Sequence, residues 1–296
     1  MDLVLRLPAR RVGVVGGEEE AEGGFVKNFL KKIRAFWWNE RPVPIKTRNI
    51  QEYEAEQRLK NPIFLERFGY KVYSQNDEDG IISEIFNRIG TTNKKFVEFG
   101  VQYGLESNSH FLLHKGWSGL WIEGNKKAVS KIYSIFAKPI KDKQLKILNA
   151  FITAKNINKL ISVDGSINGK IDLLSIDIDG NDYWVWQAIK CIKPRVVVIE
   201  YNAKFPPEFA WIMEYNSEHI WQGDDEQGAS LKALELLGST LGYQLVGTSF
   251  TGSNAFFVQK NLSKNLFPKP ATSENLYNPM RFISYISGHP AKKYIG

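Results

Sequence analysis

At 296 residues, with 43% hydrophobic and 24% charged residues, the chain has room for one large domain or two small ones and the composition of a soluble globular protein. One cysteine, Cys191, excludes an internal disulfide and fits a reducing compartment such as the cytoplasm, and no apolar run nears the ~18 residues that span a bilayer. The net charge of +7 is concentrated between Phe25 and Asn49, where seven Lys and Arg face Glu40 alone, so a basic groove for nucleic acid is not expected.

Residues 1–24 lack periodicity, carry the acidic cluster Glu18, Glu19, Glu20 and Glu22, and read as a disordered leader. Proline and arginine break the start where a secretion signal would be apolar. From Phe25 to Trp37, at ~100° per residue, Phe25, Val26, Phe29, Leu30, Ile33, Phe36 and Trp37 share an arc of about 140°. Lys27, Lys31, Lys32 and Arg34 lie on the other side. Such a basic amphipathic helix, over 25–38, suits an anionic membrane surface, which would put the protein at the inner face of the membrane. It equally suits packing on the domain or on a second copy in a homo-oligomer. Pro42 and Pro44 end it in a stiff linker, so that 25–69 forms an arm. Ile50 to Leu65 reads as a helix.

Tyr73-Ser74-Gln75-Asn76-Asp77-Glu78-Asp79-Gly80 is polar throughout and precedes the apolar helix of Ile81, Ile82, Ile85 and Phe86. An Asp or Asn there caps a helix, but the run exceeds what one cap requires. Next, Phe96-Val97-Glu98-Phe99 reads as a strand ending on Gly100. Gly104, the polar Glu106, Ser107 and Asn108, and the helical pattern of Phe111, Leu112 and Leu113 follow. A second strand, Gly119 to Ile122, ends on Glu123, where an acid accepts hydrogen bonds from ribose hydroxyls. A dinucleotide fold requires G-x-G-x-x-G around a pyrophosphate. Here the spacing is Glu98-x-Gly100-x-x-x-Gly104, and a carboxylate at that position repels phosphate but helps to bind an ammonium group. The ligand indicated is adenosine with a cationic tail.

The stretch FVEFGVQYGLESNS…GWSGLWIEGN resembles the class I S-adenosylmethionine-dependent methyltransferases, and more narrowly their FkbM-like branch, which O-methylates sugars and other hydroxyl-bearing metabolites. The resemblance covers the core from Tyr70 to Leu262. It implies an α/β, Rossmann-like seven-stranded sheet of order 3-2-1-4-5-7-6, the last strand antiparallel, over 70–262, with a tail at 263–296. S-adenosyl-L-methionine is the implied cofactor, contacted by Glu98, Gly100, Gly104, Ser107, Asn108 and Glu123. FkbM-like chains carry a similar Ser-Gln-x-x-x-Asp stretch, which extends a cofactor or substrate role to Gln75 and Asp79 beside their capping role.

Lys126 to Phe136 reads as a helix and Leu145 to Asn149 as the third strand, with Asn149 and Ala150 at the adenine position of such folds. Ala154 to Ile161 supplies a crossover helix. Ile171 to Ile176 is a buried-type strand opening into Asp177-Ile178-Asp179-Gly180-Asn181-Asp182, and Arg195 to Glu200 is the fifth strand, followed by Tyr201 and Asn202. Ligands bind outside the carboxyl ends of such strands, which places both acidic clusters on the ligand edge. Phe205 to Gln227 is irregular and aromatic. It reads either as a substrate lid whose rings stack on sugars or as a small hydrophobic cluster. Ala229 to Leu241 is a helix, Tyr243 to Val246 and Ala255 to Val258 close the sheet, and beyond Lys260 there is no core signal.

Methyl transfer to a hydroxyl needs donor and acceptor held in line and the hydroxyl proton removed. Asp179 and Asp177 are the candidate catalytic carboxylates, Asp177 nearer the donor, with His219 in reserve. Asp179, or Asp177 in its place, with Glu200 and Asn202 forms an oxygen-rich set that would hold Mg²⁺, as the resemblance to metal-dependent O-methyltransferases implies, although Tyr201 separates the last two. One of Asp179 and Asp182 is expected only to cap the following helix and to take loop hydrogen bonds. His110 and His114, at i and i+4, have no third ligand nearby and read as structural. The expected function is O-methylation of a sugar hydroxyl in a glycan or lipid-linked saccharide. The alternative is a non-catalytic module that keeps the fold and is recruited through the arm.

Overall fold

The computed structural model describes residues 57–281, except 164, 166 and 168. The leader and basic helix expected before residue 39 lie outside the described residues, as does the chain beyond 281. The sheet lies in the compact unit that begins at Asn61.

Seven strands, β1 (Lys95–Phe99), β2 (Ser118–Glu123), β3 (Leu145–Asn149), β4 (Gly169–Ile176), β5 (Ile192–Glu200), β6 (Tyr243–Thr248) and β7 (Asn254–Gln259), form one sheet of order β3-β2-β1-β4-β5-β7-β6. The first five pair in parallel; β7 runs antiparallel to both β5 and β6. This is the order and orientation of the class I methyltransferase fold. The strand order reverses between β1 and β4, so the connections leaving these two strands diverge and open a crevice at their carboxyl ends. Register places Glu98 of β1 between Trp121 of β2 and Ser175 of β4, and Glu200 of β5 opposite Asn254 of β7.

Strand residues alternate between two cores, as the two-residue period of a pleated sheet requires. Val97, Phe99, Leu174, Ile176, Val197 and Ile199 face one side, with α5 (Ile157–Ile161), α6 (Asp182–Ala188) and α7 (Leu231–Thr240). Phe96, Trp121, Leu173, Val196 and Val198 face the other, with α1 (Glu78–Ile89), α2 (His110–His114) and α3 (Lys126–Ile135). The remaining short helices are α4 (Ala137–Lys141), α8 (Lys260–Ser263) and α9 (Ser273–Leu276). At the amino-terminal edge the Asp172 carboxylate accepts from the backbone N–H groups of Thr92, Asn93 and Lys94, and Arg195 lies 3.0 Å from it.

The packed unit is wider than residues 70–262. Leu65 is fully buried, in a 3-10 turn (Leu65–Phe68) rather than at the end of the expected Ile50 to Leu65 helix. Downstream, Phe267 and Leu276 enter the two cores, and Asn278 is buried with its amide on Glu66 and Thr248. Single apolar residues in a polar, proline-containing context have no periodicity, so nothing in the sequence separates them from a tail. The crossover helix likewise begins only at Ile157, because Asn156 and Thr153 first close a side-chain turn on each other's backbone.

Candidate active site

The turn after β1 is shaped by two glycines with different tasks. Gly100 has φ +68°, and a β-carbon there would lie 1.6 Å from the Asp177 carbonyl oxygen. Only glycine lets the β1 turn pass this close to the end of β4. Gly104 (φ +74°) was expected at the cofactor, but a β-carbon there would instead lie 2.4 Å from the indole of Trp121. It does not line the cavity; it makes room for core packing.

Outside the ends of β1 and β4 lies a cavity of about 340 Å³. Its walls are Glu98 to Tyr103, Leu105 to Asn108, Gln75, Asp177 and Asn254. Three of these residues are acids, and none is Lys, Arg or His. A phosphate-bearing ligand would find no counter-charge in it, whereas a cation would. Glu98 is buried, and burial raises its carboxyl to about 7 against the opposing hydrogen bonds from Ser109 and Asn108. Its Oε1 accepts from the Asn108 N–H (2.7 Å) and its Oε2 from the Ser109 N–H (3.0 Å) and hydroxyl. The Ser109 Oγ in turn accepts from Trp121 Nε1 at 2.8 Å. Glu98 thus anchors the loop that forms the cavity wall. Asn108 is pinned further by its amide on Ser175 Oγ, and the Ser107 hydroxyl donates to the Gly104 carbonyl.

The polar run at 73–80 splits in role. Gln75 reaches the cavity. Asp79 does not: its Oδ2 accepts from the backbone N–H groups of Val72, Tyr73 and Ser74 at 2.7, 2.6 and 2.8 Å, folding the loop back on α1. Glu123 also lies outside the cavity wall, with its oxygens on the N–H groups of Gln102 (2.8 Å) and Asn125 (2.7 Å). The Asn149 amide donates to the carbonyls of Glu123 and Gly124, and the Ala150 N–H to that of Glu123, so both residues hold the β2 and β3 tips together.

Across the cavity floor, Asp177 continues into a carboxylate triad. Ligand-type oxygens of Asp177, Asp179 and Glu200 all lie within 4.8 Å of one another, the one such acidic group of three or more among the described residues. Desolvation, then the charges of Asp179 and Asp182, hold the Asp177 carboxyl well above the usual carboxylate range. Glu200 is raised by desolvation and then by Asp177. Asp179 is raised by desolvation, with His219 opposing. Asp179 also adopts φ +53°, a left-handed conformation that costs energy in a non-glycine residue and clusters at functional sites. Asp182 takes loop hydrogen bonds without capping the helix: its two oxygens accept from the N–H groups of Ile178 and Gly180, both 2.9 Å and both ahead of α6, which has no side-chain cap bond.

Asn202 does not join the triad. Its Oδ1 accepts from the Lys204 N–H and its amide donates to the carbonyls of Asp225 and Gln227, tying down the segment after β5. The metal-type set is therefore Asp177, Asp179 and Glu200. That segment folds over the β4 turn: Asn181 donates to the Asn216 carbonyl, Trp184 to that of Met213, and the Gly228 N–H to that of Gly180. His219 is seated against Gly180, with Nε2 3.1 Å from the Asp179 carbonyl oxygen. Phe209 and Trp211 each stack on Phe205, as in a hydrophobic cluster, while Ile220 and Trp221 stay exposed. His110 and His114 pack on the ring of Tyr73, with no third ligand beside them among the described residues.

The cavity residues not expected from the sequence are Asn254 and, around the glycine turn, Phe99, Val101, Gln102, Tyr103, Leu105 and Glu106. Asn254 begins a strand of ordinary appearance, and its place opposite Glu200 is a matter of strand order. Tyr103 and Leu105 carry the weaker signal of exposed apolar side chains beside a glycine turn.

No family model and no curated protein matches the chain. Among solved structures it is similar to an S-adenosylhomocysteine-bound methyltransferase from Podospora anserina (14% identity, TM-score 0.40, 84% of this chain and 100% of that one). A Staphylococcus aureus protein described as a caffeoyl-CoA O-methyltransferase aligns at 11% identity and TM-score 0.43 over 79% of this chain and 99% of that one. An S-adenosylmethionine-dependent methyltransferase from Aquifex aeolicus does so at 11% and 0.38, over 70% and 96%. Strand order and the antiparallel β7 define the architecture independently: it is a class I methyltransferase fold.

Proposed function

We propose that the protein is an S-adenosylmethionine-dependent O-methyltransferase whose acceptor is a sugar hydroxyl in a glycan or lipid-linked saccharide. The observation that carries this reading is that one residue, Asp177, belongs both to an acid-lined cavity at the β1–β4 crevice and to a triad of converging carboxyl groups. Bound S-adenosylmethionine supplies a methyl carbon made electrophilic by its sulfonium. The residues fit such a ligand: the wall is anionic without counter-charges, and Gly100 lets the β1 turn and Asp177 meet in one wall. Glu98 and Asp177 favour a cationic ligand as they ionise, and Asp179, on the far side of Asp177, takes the proton of the acceptor hydroxyl. Burial raises the Asp179 carboxyl above its ordinary range, which makes its ionised form a stronger base. His219 stands beside Asp179 as the next carrier. The exposed Trp221, two residues on, offers a ring face for a sugar.

A second reading, favoured by the 4.8 Å convergence of the triad, is that Asp177, Asp179 and Glu200 hold a divalent cation that polarises the hydroxyl. Activity that survives EDTA would leave Asp179 as base. Labelled S-adenosylmethionine supplied to a host lysate should label the glycan or lipid fraction; label only in protein would refute the sugar assignment. Asp179→Asn should abolish transfer while leaving cofactor affinity within about tenfold, ~1.4 kcal/mol. Cofactor binding without transfer to any acceptor would instead identify a non-catalytic module.

A further inference from the structure

Asn254 is a buried residue of the cavity wall, and its Oδ1 has no hydrogen-bond partner among the described residues. Buried carbonyl-type oxygens are rarely left in this state, because the desolvation penalty is then uncompensated. The usual escape, rotating the amide by half a turn, is closed. The amide nitrogen donates to Glu78 Oε1 at 3.0 Å, and Glu78 is fully buried with its oxygens also accepting from the Asn76 N–H (2.8 Å) and amide (3.4 Å). A carboxylate accepts only, so it demands the nitrogen and turns the oxygen of Asn254 the other way. The backbone cannot shift to compensate: Asn254 is paired with Glu200, its N–H donates to Ser249 Oγ, and its carbonyl accepts from the Ser249 N–H.

We infer that the Asn254 carboxamide oxygen receives the ammonium group of the bound cofactor, with Glu78 as the positioning residue that fixes which end of the amide is offered. This rests on the cofactor reading above. The donor has to be supplied by the ligand, and the neighbouring wall residues Glu98 and Asp177 call for a cationic one. An α-amino group meets both demands. The contact would also set its tail between β1 and β7, beside the triad reached through Glu200.

The test compares two ligands by calorimetry: S-adenosylhomocysteine, which has the ammonium, and 5′-methylthioadenosine, which keeps the thioether nucleoside but lacks the amino-acid tail. Asn254→Ala should weaken S-adenosylhomocysteine by about tenfold or more, the loss expected for a hydrogen bond to a charged group, and leave methylthioadenosine within about twofold. Glu78→Gln, which keeps the shape but can donate as well as accept, should give the same selectivity with a smaller loss. Equal weakening of both ligands, or no change in either, overturns the assignment. So does loss of folding in both variants, since the network would then be purely structural. Wild-type protein that binds methylthioadenosine as tightly as S-adenosylhomocysteine refutes the ammonium contact alone. Wild-type protein that binds neither refutes the cofactor reading and this inference with it.

Discussion

Asp177→Asn should stabilise the ligand-free protein, and should do so more as the pH rises. Oxygens of Asp177, Asp179 and Glu200 lie within 4.8 Å, where an ionised pair repels by about 3.5 kcal/mol at an effective dielectric of ~20. Asp177 faces two such partners, and Asp182, Glu98 and Glu78 add to the same effect. The protein escapes most of this repulsion by retaining protons. Above its ordinary value, and up to its raised value, the folded Asp177 holds a proton that the unfolded chain has released. Stability therefore falls as the pH rises through that window, and the full penalty is present above it. Asparagine keeps the side-chain shape, carries no charge and offers an N–H to the two remaining acids. With protonation and partial solvation absorbing much of the Coulomb figure, the gain should be about 1–2 kcal/mol near pH 8, or ~2–6 °C in melting temperature. Near pH 4 it should approach zero. Thermal unfolding of both proteins in EDTA across this range measures it. A variant that melts lower near pH 8, or that is offset equally at every pH, would refute the electrostatic account of the triad. The stabilised variant should also be inactive, since the repulsion that it removes is what poises the site.

Binding of S-adenosylhomocysteine should tighten as the pH rises through about 7, the value to which burial lifts Glu98, because the ammonium favours the ionised wall; a flat calorimetric profile would place the cationic end elsewhere. Gly104→Ala should cost about 2–4 kcal/mol in urea unfolding, through the collision with Trp121 and the positive φ, and an unchanged unfolding midpoint would return Gly104 to the cofactor. Arg195→Met should cost about 1–3 kcal/mol at neutral pH by removing the guanidinium from buried Asp172, with ligand affinity unchanged at the opposite edge of the sheet. Asp172 is held below its ordinary value, so that stability is present above the unfolded value and lost as the pH falls through the folded one; the deficit of the variant should vanish with it in acid.

The sheet was legible in the sequence because its signals are local. Parallel strands buried on both faces are continuous apolar runs, and Glu98, Asp177 and Glu200 stand at the ends of three of them. The strand order itself came from the family resemblance rather than from periodicity. Position along a strand is enough to put an acid on the ligand edge, so Glu98 and Asp177 were found as cavity residues and Asp179 and Glu200 as neighbours. What each polar group does there was decided by tertiary structure. Glu123, Asn202 and Asp182 have their polar atoms taken by backbone groups, as do the Oδ2 of Asp79 and the amide nitrogen of Asn149, and those partners depend on how loops return, which residue type does not encode. Gly104 reads like Gly100 until Trp121, from the next strand, is packed against it. Asn254 is further still from any sequence signal: it follows Asp177 by most of the second half of the domain. It meets the cavity only because β7 inserts antiparallel between β5 and β6, and its oxygen is turned the other way by the Glu78 carboxylate, 176 residues earlier in the chain, which takes the amide nitrogen. A sequence records which donors and acceptors exist; which of them are left unpaired is known only once every other one has found its partner.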